Sequence, residues 1–525
     1  AGELGAIAIK ALMARTKCDP ERIDDVVFAQ GYASGEAPCI GRWSALAAGL
    51  PVTVPGLHVD RRCGSGLQAV IDAAMMVQTG VADAVIAGGA ESMSNVEYYS
   101  TDMRPGARMG STTFHDRLAR GRVMSQPIER FGVISGMIET AENLAKDYDI
   151  SREACDEYAV MSHQRAAAAW AEGKFDEELI PVSIPQRRGD PILFNKDEGV
   201  RSDASVERMA ALRPIEGGVV TAGNASQQND AAAACLVVAE DKLEELGLEP
   251  MGFLTGWAAA GCEPSRMGIG PVPAVERLFG RTGLSWDDID LVELNEAFAP
   301  QVLAVLKGWG WDDRDKLNVN GSGISLGHPI GATGGRILAN LMHELKRRDA
   351  RYGLETMCIG GGQGLAQARA LGTEATLAAL IESGLRGRGG AGFPAGIEWR
   401  TVRETQANIR YVVCNADEGD SGTFADRMLM EGDPLALIEG MAIAGFAVGA
   451  SKAYIYIRSE YPHAIAKMED AIRLSAHLIA PFVVEVRVGA GAYICGEETS
   501  LLNSLEGKRG EVRAKPPLPA LEGLF

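Results

Sequence analysis

A chain of 525 residues has room for roughly three or four domains with sizeable cores, and 46% hydrophobic with 23% charged residues describes a soluble globular protein. A formal charge of −19 argues against nucleic acid as a default partner, so an anionic substrate needs locally placed basic residues. Nine Cys without a CxxC pair or regular spacing do not look like a disulfide framework or a zinc site and fit a reducing cytoplasm, and no apolar run is long enough to span a membrane.

The first residues, AGELGAIAIKAL, lack the basic start of a signal peptide and open inside an amphipathic helix pattern over 3–16. The chain reads as a fragment at both ends. Ile23 to Gln30 reads as a helix end feeding a strand, followed by a helical run around Trp43 to Ala48 and a strand-like run from Val54 to Val59. Asp60-Arg61-Arg62-Cys63-Gly64-Ser65-Gly66-Leu67-Gln68 then turns into a helical run from Leu67 to Val77. A Cys at a strand-to-helix corner meets the helix's free N–H groups and positive dipole end, which ease its ionisation to the nucleophilic thiolate. Gly64 and Gly66 let backbone and substrate approach the sulfur. A free thiol on its own is more often a buried structural residue; the rest of the chain reverses those odds. Val81 to Ile86 reads as a buried strand stopped at Gly88-Gly89. Strands alternating with helices predict an α/β layered fold with a largely parallel sheet.

Residues 93–221 break this rhythm with helices such as Ile138 to Tyr148 and Ser151 to Glu172. They read as an insertion laid over the core, either shaping a substrate channel or packing as an appendage. The rhythm returns after Gly223-Asn224-Ala225-Ser226 and repeats the first half. Ile23-Asp24-Asp25-Val26-Val27 is echoed by Ile289-Asp290-Leu291-Val292-Glu293, and His58-Val59-Asp60 by Asn318-Val319-Asn320. Glycines, a helix from Thr333, the strand Thr356 to Ile359 and Gly360-Gly361-Gly362 follow in the same order. Two copies of one α/β unit are predicted, with equivalent strand ends facing one site.

The second copy supplies partners for Cys63. His328, in the Gly-rich turn Leu326 to Gly334, can take the Cys63 proton. Asn295, at a strand end, could hold an oxyanion directly or through water, and Cys358 is a second thiol beside a glycine loop. Each alone has an ordinary structural explanation: a capping Asn, a surface His, a core Cys.

Residues 1 to about 370 resemble a thiolase (acetyl-CoA acetyltransferase or 3-ketoacyl-CoA thiolase) through RRCGSGLQAV, GGAESMS, TAGNAS, NEAFAP, NVNGSGISLGHPIGATG and CIGGGQG, in family order. The resemblance implies Cys63 as acyl-accepting nucleophile and His328 as its activator, which with a water held by Asn295 also stabilises the first oxyanion. It implies Cys358 as acid/base at the second substrate's α-carbon, and N–H groups of Cys63 and Gly360 as a second oxyanion hole. Arg201, Ala222, Ser226 and Met267 would face CoA. It further implies CoA-thioester substrates, no cofactor, and a homo-oligomeric dimer or tetramer. Two departures stand out: family members begin earlier, with a first core strand absent here, and Gly136 aligns where short-chain enzymes carry a His. Thus 1–92 with 222–246 would form the N-terminal α/β domain, 93–221 the loop domain and 247–372 the C-terminal α/β domain.

Residues 373–525 read as a separate, partial α/β domain. Gly384 to Pro394 forms a Gly/Arg cluster able to wrap a phosphate. With Cys414 to Thr423 and Gly489 to Thr499 it resembles the FMN- and NADH-binding subunit of respiratory complex I and NAD-dependent formate dehydrogenases. The resemblance places Gly387, Arg388, Gly389, Asn415, Asp417, Glu418, Tyr493, Gly496, Glu497 and Glu498 around flavin and nicotinamide, with Phe393 stacking. Glu398 stands before Trp399 where the family has Lys, reversing the charge, and the family's cluster cysteines lie beyond Phe525; weak FMN binding or none is expected. Three functions remain on the sequence: a thiolase, an NADH-oxidising flavin module, or an inactive fusion of two gene fragments.

Overall fold

Apolar runs bounded by turns form two four-stranded sheets in the unit Ala1–Leu371. The computed structural model describes the chain except residues 107–108, 371–379, 382, 388–391, 406, 408, 516–517, 520–522 and 525. The strands of this unit are β1 (Asp25–Ala29), β2 (Leu57–Val59), β3 (Ala84–Ser92), β4 (Tyr98–Tyr99), β5 (His115–Asp116), β6 (Val182–Ile184), β7 (Ile192–Phe194), β8 (Asp230–Val238), β9 (Phe253–Gly261), β10 (Leu291–Leu294), β11 (Tyr352–Ile359) and β12 (Gln363–Ala370). The first sheet has the order β2-β1-β3-β8 and the second β10-β11-β12-β9. In each, a parallel pair (β1 with β3, β10 with β11) is followed by an antiparallel neighbour (β8, β12). The predicted duplication is therefore present.

The expectation of a largely parallel sheet is corrected to two mixed sheets. In the second, β11 and β12 are joined only by Gly360, Gly361 and Gly362, far too short for a parallel crossover, which needs a dozen or more residues. Gly361 and Gly362 make that reversal at φ +88° and +86°. The far edge of β12 is covered by β9. Among the described residues β8 has no such partner, and Ala231 to Val238 remain only partly buried.

Two equivalent helices, Ser65–Gln78 and Ile330–Arg348, lie between the sheets. Val27 and Ala29 of β1, Ala69 and Ala73 of the first helix, Leu338 and Leu341 of the second, and Leu291 of β10 share one buried layer. The second helix starts at Ile330, three residues before the expected Thr333. β3 does not stop at its glycines but runs through them to Ser92. A Cβ on Gly89 would lie 2.1 Å from Gly331 O and 2.6 Å from Ala29 O, so the glycines let other backbone pass close to a continuing strand. The helices Met137–Asp147 and Arg152–Ala171 of the insertion are not merely laid over the core: Leu144, Cys155, Tyr158 and Ala159 are buried together with Leu294, Val302 and Ile324.

In the unit Gly372–Phe525, β13 (Tyr411–Ala416), β14 (Lys452–Arg458) and β15 (Val483–Gly489) form a parallel sheet in sequence order. Helices Pro434–Val448 and Pro462–Ile479 make the crossovers, and Met441, Ile455, Ile457 and Met468 form its core. The expected sites Arg388 and Gly389, and the expected domain boundary between residues 372 and 373, lie outside the described residues.

Candidate active site

Cys63 occupies the turn between β2 and the Ser65–Gln78 helix, buried with Tyr32, Met93 and Ile330. The turn is held by Ser65, whose hydroxyl donates to Arg62 O (2.5 Å) and accepts the Arg61 N–H (2.8 Å). A Cβ on Gly64 would meet Ile359 Cδ1 at 2.4 Å. At Gly66 it would lie 2.8 Å from Gly331 O. The close approach these glycines permit is to the chain's own second half, which brings the His328 loop against the Cys63 corner.

The thiol itself departs from the expectation of easy ionisation. Burial raises it, against the N–H of Gly360, the Arg62 cation, its own N–H and the Arg122 cation, which all lower it. Desolvation of a charged sulfur outweighs these pulls. Cys358, at the end of β11, is fully buried and raised further by burial, and then by the neighbouring Cys63. It packs with Met267, Phe298, Val220, Ala141 and Ala297. The Cys63 sulfur is thus near enough to raise the Cys358 thiol.

His328 is buried on the loop between Gly327 and the Ile330–Arg348 helix. Asn229 Oδ1 accepts its backbone N–H at 3.0 Å, and Arg336 donates to Gly327 O at 3.2 Å. Burial, then the Arg336 and Arg122 cations, push the imidazole down to about 3, so it is neutral. Asn295 Nδ2 lies 3.4 and 3.5 Å from the two ring nitrogens. Next to it, the buried Glu296 carboxylate accepts from Tyr158 (2.9 Å), Ser162 (2.6 Å), Asn318 (3.1 Å) and the Ile324 N–H (3.2 Å). This ties the end of β10 to the Arg152–Ala171 helix.

A His whose folded value lies below its ordinary one contributes stability that is intact above about 6.5 and lost as pH falls through the window down to about 3. Replacing His328 by Gln is expected to flatten the pH dependence of the urea midpoint between those limits, measured as wild type minus variant. An unchanged difference across the window would rule out a buried neutral His328.

Glu91 was not singled out by sequence, although a carboxylate inside an apolar strand run was the available signal. It is fully buried, accepts the N–H groups of Gly31 (2.8 Å), Gly331 (3.0 Å) and Tyr32 (3.4 Å), and burial raises it to about 7. Because it pins the loop after β1 to the start of the His328-bearing helix, Glu91→Ala leaves three buried donors unpaired. A loss of about 3 kcal/mol or more in urea unfolding is expected. Arg122, which hydrogen-bonds the Tyr32 hydroxyl and acts on both Cys63 and His328, was also missed.

Of the residues expected to face CoA, Met267 lies with Cys358, whereas Arg201 and Ala222 are exposed. The Ser226 N–H donates to Ala297 O at 2.9 Å. Ser125 Oγ and Met137 Sδ approach the Cα side of Gly360, so the insertion reaches the site next to Gly136.

In the second unit Asn415, Asp417 and Glu418 lie at the carboxyl end of β13, and Tyr493, Gly496, Glu497 and Glu498 follow that of β15, where parallel sheets bind ligands. Asn415 Nδ2 donates to Gly496 O at 2.8 Å, and the Gly387 N–H to Phe393 O at 2.8 Å; Phe393 is exposed. Asp417 is buried, and Glu418 accepts the Asp426 and Arg427 N–H groups and the Tyr461 hydroxyl. Tyr493 donates to Asp420 at 2.8 Å. Glu497 caps the Glu498–Leu505 helix and, with Glu498, holds Lys515. Glu398 sits in the first turn of the Ala395–Glu404 helix. The surrounding protein, then the Glu498 carboxylate, push its carboxyl up.

Family profiles described as "Thiolase, N-terminal domain" and "Thiolase, C-terminal domain" match residues 1–241 and 248–369, and one described as "Nuo51 FMN-binding domain" matches 380–524. The acetyl-CoA acetyltransferase of Chromobacterium violaceum is 47% identical over 371 residues, covering 70% of this chain and 93% of that one. The crystal structure of the Bacillus anthracis acetyl-CoA acetyltransferase superposes with a TM-score of 0.67 at 41% identity, over 70% of this chain and 93% of that chain. Human mitochondrial 3-ketoacyl-CoA thiolase does so at 0.67 and 39%, over 71% and 93%.

Proposed function

The chain belongs to the thiolase family over residues 1–369, and we propose that it transfers acyl groups between CoA thioesters through Cys63. The reaction is Claisen condensation of acetyl-CoA or, in reverse, thiolysis of a 3-ketoacyl-CoA. His328 takes the Cys63 proton, the thiolate attacks the thioester carbonyl, and the carbonyl–sulfur bond to CoA breaks to give acyl-Cys63 and CoA thiolate, which leaves as free CoA with the proton returned by His328. His328, with a water held by Asn295, holds the oxyanion of the enolate. The N–H groups of Cys63 and Gly360 hold the tetrahedral oxyanion formed at the acyl-sulfur. Cys358 moves the proton at the α-carbon of the second substrate. Splitting the transfer in two predicts ping-pong kinetics. The observation that carries this reading is a Gly360 N–H aimed at Cys63, whose sulfur raises the Cys358 thiol, with one cation, Arg122, acting on both Cys63 and the His328 ring that lies 3.4 Å from Asn295. Thiolysis of acetoacetyl-CoA by free CoA tests it, and a folded chain without activity would sink it.

Met267 packed beside Cys358 supports a substrate contact there, and Arg201, Ala222 and Ser226 complete the proposed CoA face. Among the described residues no helix is long and apolar enough to cross a membrane. A cytoplasmic setting and a homo-oligomer, dimer or tetramer, complete the reading; light scattering reads the latter.

The profile match assigns the second unit to an FMN-binding type of domain, but its described residues do not suit a flavin phosphate. Glu398 sits at a helix start whose positive end would otherwise favour that dianion, with Glu498 beside it, and Lys515 is already engaged by Glu497 and Glu498. No step is assigned to FMN or NADH. Titration with FMN is expected to give no flavin fluorescence quenching at micromolar protein; saturable quenching that NADH then bleaches would restore the flavin reading.

A further inference from the structure

We propose that Thr333 fixes the tautomer of His328, keeping its proton on Nδ1 so that Nε2 is the nitrogen that takes the Cys63 proton. This inference rests on the roles given above to Cys63 and His328. Thr333 is fully buried in the first turn of the Ile330–Arg348 helix, five residues after His328. Its Oγ1 lies 2.8 Å from His328 Nδ1 and donates to Pro329 O, one turn back, at 3.0 Å. A hydroxyl has one proton and two lone pairs. Pro329 O also accepts the Ala332 (2.7 Å) and Thr333 (2.9 Å) N–H groups; the hydroxyl proton is assigned to this shared carbonyl, which turns a lone pair to the ring and makes Nδ1 the donor.

The ring has no other strong instruction. Asn295 Nδ2 is nearly equidistant from both nitrogens, at 3.4 and 3.5 Å, and does not choose between them. The hydrogen bonds of Asn229 and Arg336 go to the backbone of the loop, at the His328 N–H and Gly327 O, and not to the ring. Burial among the Arg336 and Arg122 cations keeps the imidazole neutral at rest, so it carries a single N–H and its position matters. When the Cys63 S–H bond breaks, its electron pair stays on sulfur and the proton forms a bond to Nε2. The imidazolium then has two N–H groups, and the one on Nδ1 already has its acceptor, so no group has to turn. Thr333 touches neither substrate nor sulfur in this scheme; it is a positioning residue.

The test compares Thr333→Val, which keeps the shape and removes the acceptor, with Thr333→Ser, which keeps the hydroxyl. Thiolysis of acetoacetyl-CoA is read as kcat and KM, and Cys63 alkylation by iodoacetamide is read without any CoA present. Thr333→Val is expected to lower kcat about 10²-fold with KM within roughly threefold, and to slow alkylation at least about tenfold. Thr333→Ser is expected to stay within about threefold of wild type in both. Wild-type rates in Thr333→Val, or an equal loss in Thr333→Ser, would overturn the proposal in favour of simple space filling. Should the Val variant not fold, Thr333→Ala removes the same hydroxyl without a branched replacement and is held to the same outcomes. If the wild-type chain itself performs no thiolysis, the functional reading fails, and the alkylation ratio still decides the role of Thr333.

Discussion

Cys63→Ser lowers acetoacetyl-CoA thiolysis by an expected factor on the order of 10⁴ or more, the scale on which removal of a covalent nucleophile acts. The substitution is nearly isosteric and leaves the turn intact, because the Ser65 bonds to Arg61 and Arg62 and the Gly64 contact with Ile359 do not involve the sulfur. What changes is the charge the site can hold. Burial already opposes ionisation of the thiol, and the Gly360 N–H with the Arg62 and Arg122 cations offsets only part of that. A serine hydroxyl is far less acidic and starts from a worse position in the same desolvated corner. The variant therefore forms no acyl-enzyme: incubation with acetyl-CoA adds one acetyl group to the wild type by intact mass and none to Cys63→Ser. Activity within tenfold of wild type would remove Cys63 from the reaction.

Cys358→Ala separates the two halves of the chemistry. Its thiol is fully buried among Met267, Phe298 and Val220. Activation of Cys63 is assigned to His328, so acetylation of Cys63 by acetyl-CoA should persist in the variant. Movement of the α-proton should not. Loss of a positioned acid/base costs typically 10²–10⁴-fold, and a loss of about 10³-fold is expected both in condensation and in deuterium exchange into the methyl group of acetyl-CoA. The substitution also removes a raised thiol from beside Cys63, so the acyl-enzyme is expected to form at least as readily. A variant that exchanges deuterium at the wild-type rate would assign the proton transfer elsewhere.

Much of this site could be read along the chain because its parts lie on Gly-marked turns. Cys63, Asn295, His328 and Cys358 each follow or end an apolar run, and a strand end next to glycine is legible from residue order alone. The groups that hold them were less legible. Glu91, Glu296, Thr333 and Arg122 act across 60 to 240 positions of sequence, or on a neighbouring loop through a side-chain atom. Nothing in local pattern distinguishes a Glu that accepts three N–H groups from one that faces water. Gly88 and Gly89 show the same limit in reverse. Read locally they end a strand; in the fold they continue it, because the space a Cβ would take belongs to Ala233 and Gly331.

The sequence by itself determined the two-fold repeat, the insertion, the change of character after about residue 370, and the four side chains proposed for the chemistry. These are properties of order and spacing, carried by apolar periodicity and turn residues. The tertiary structure alone decided the mixed direction of the sheets, the raised rather than lowered thiol of Cys63, and the neutral His328 with Thr333 at its Nδ1. Each depends on which groups share a buried volume. Desolvation and hydrogen-bond partners are set by neighbours in space, and those neighbours come mostly from the other half of the repeat or from the insertion.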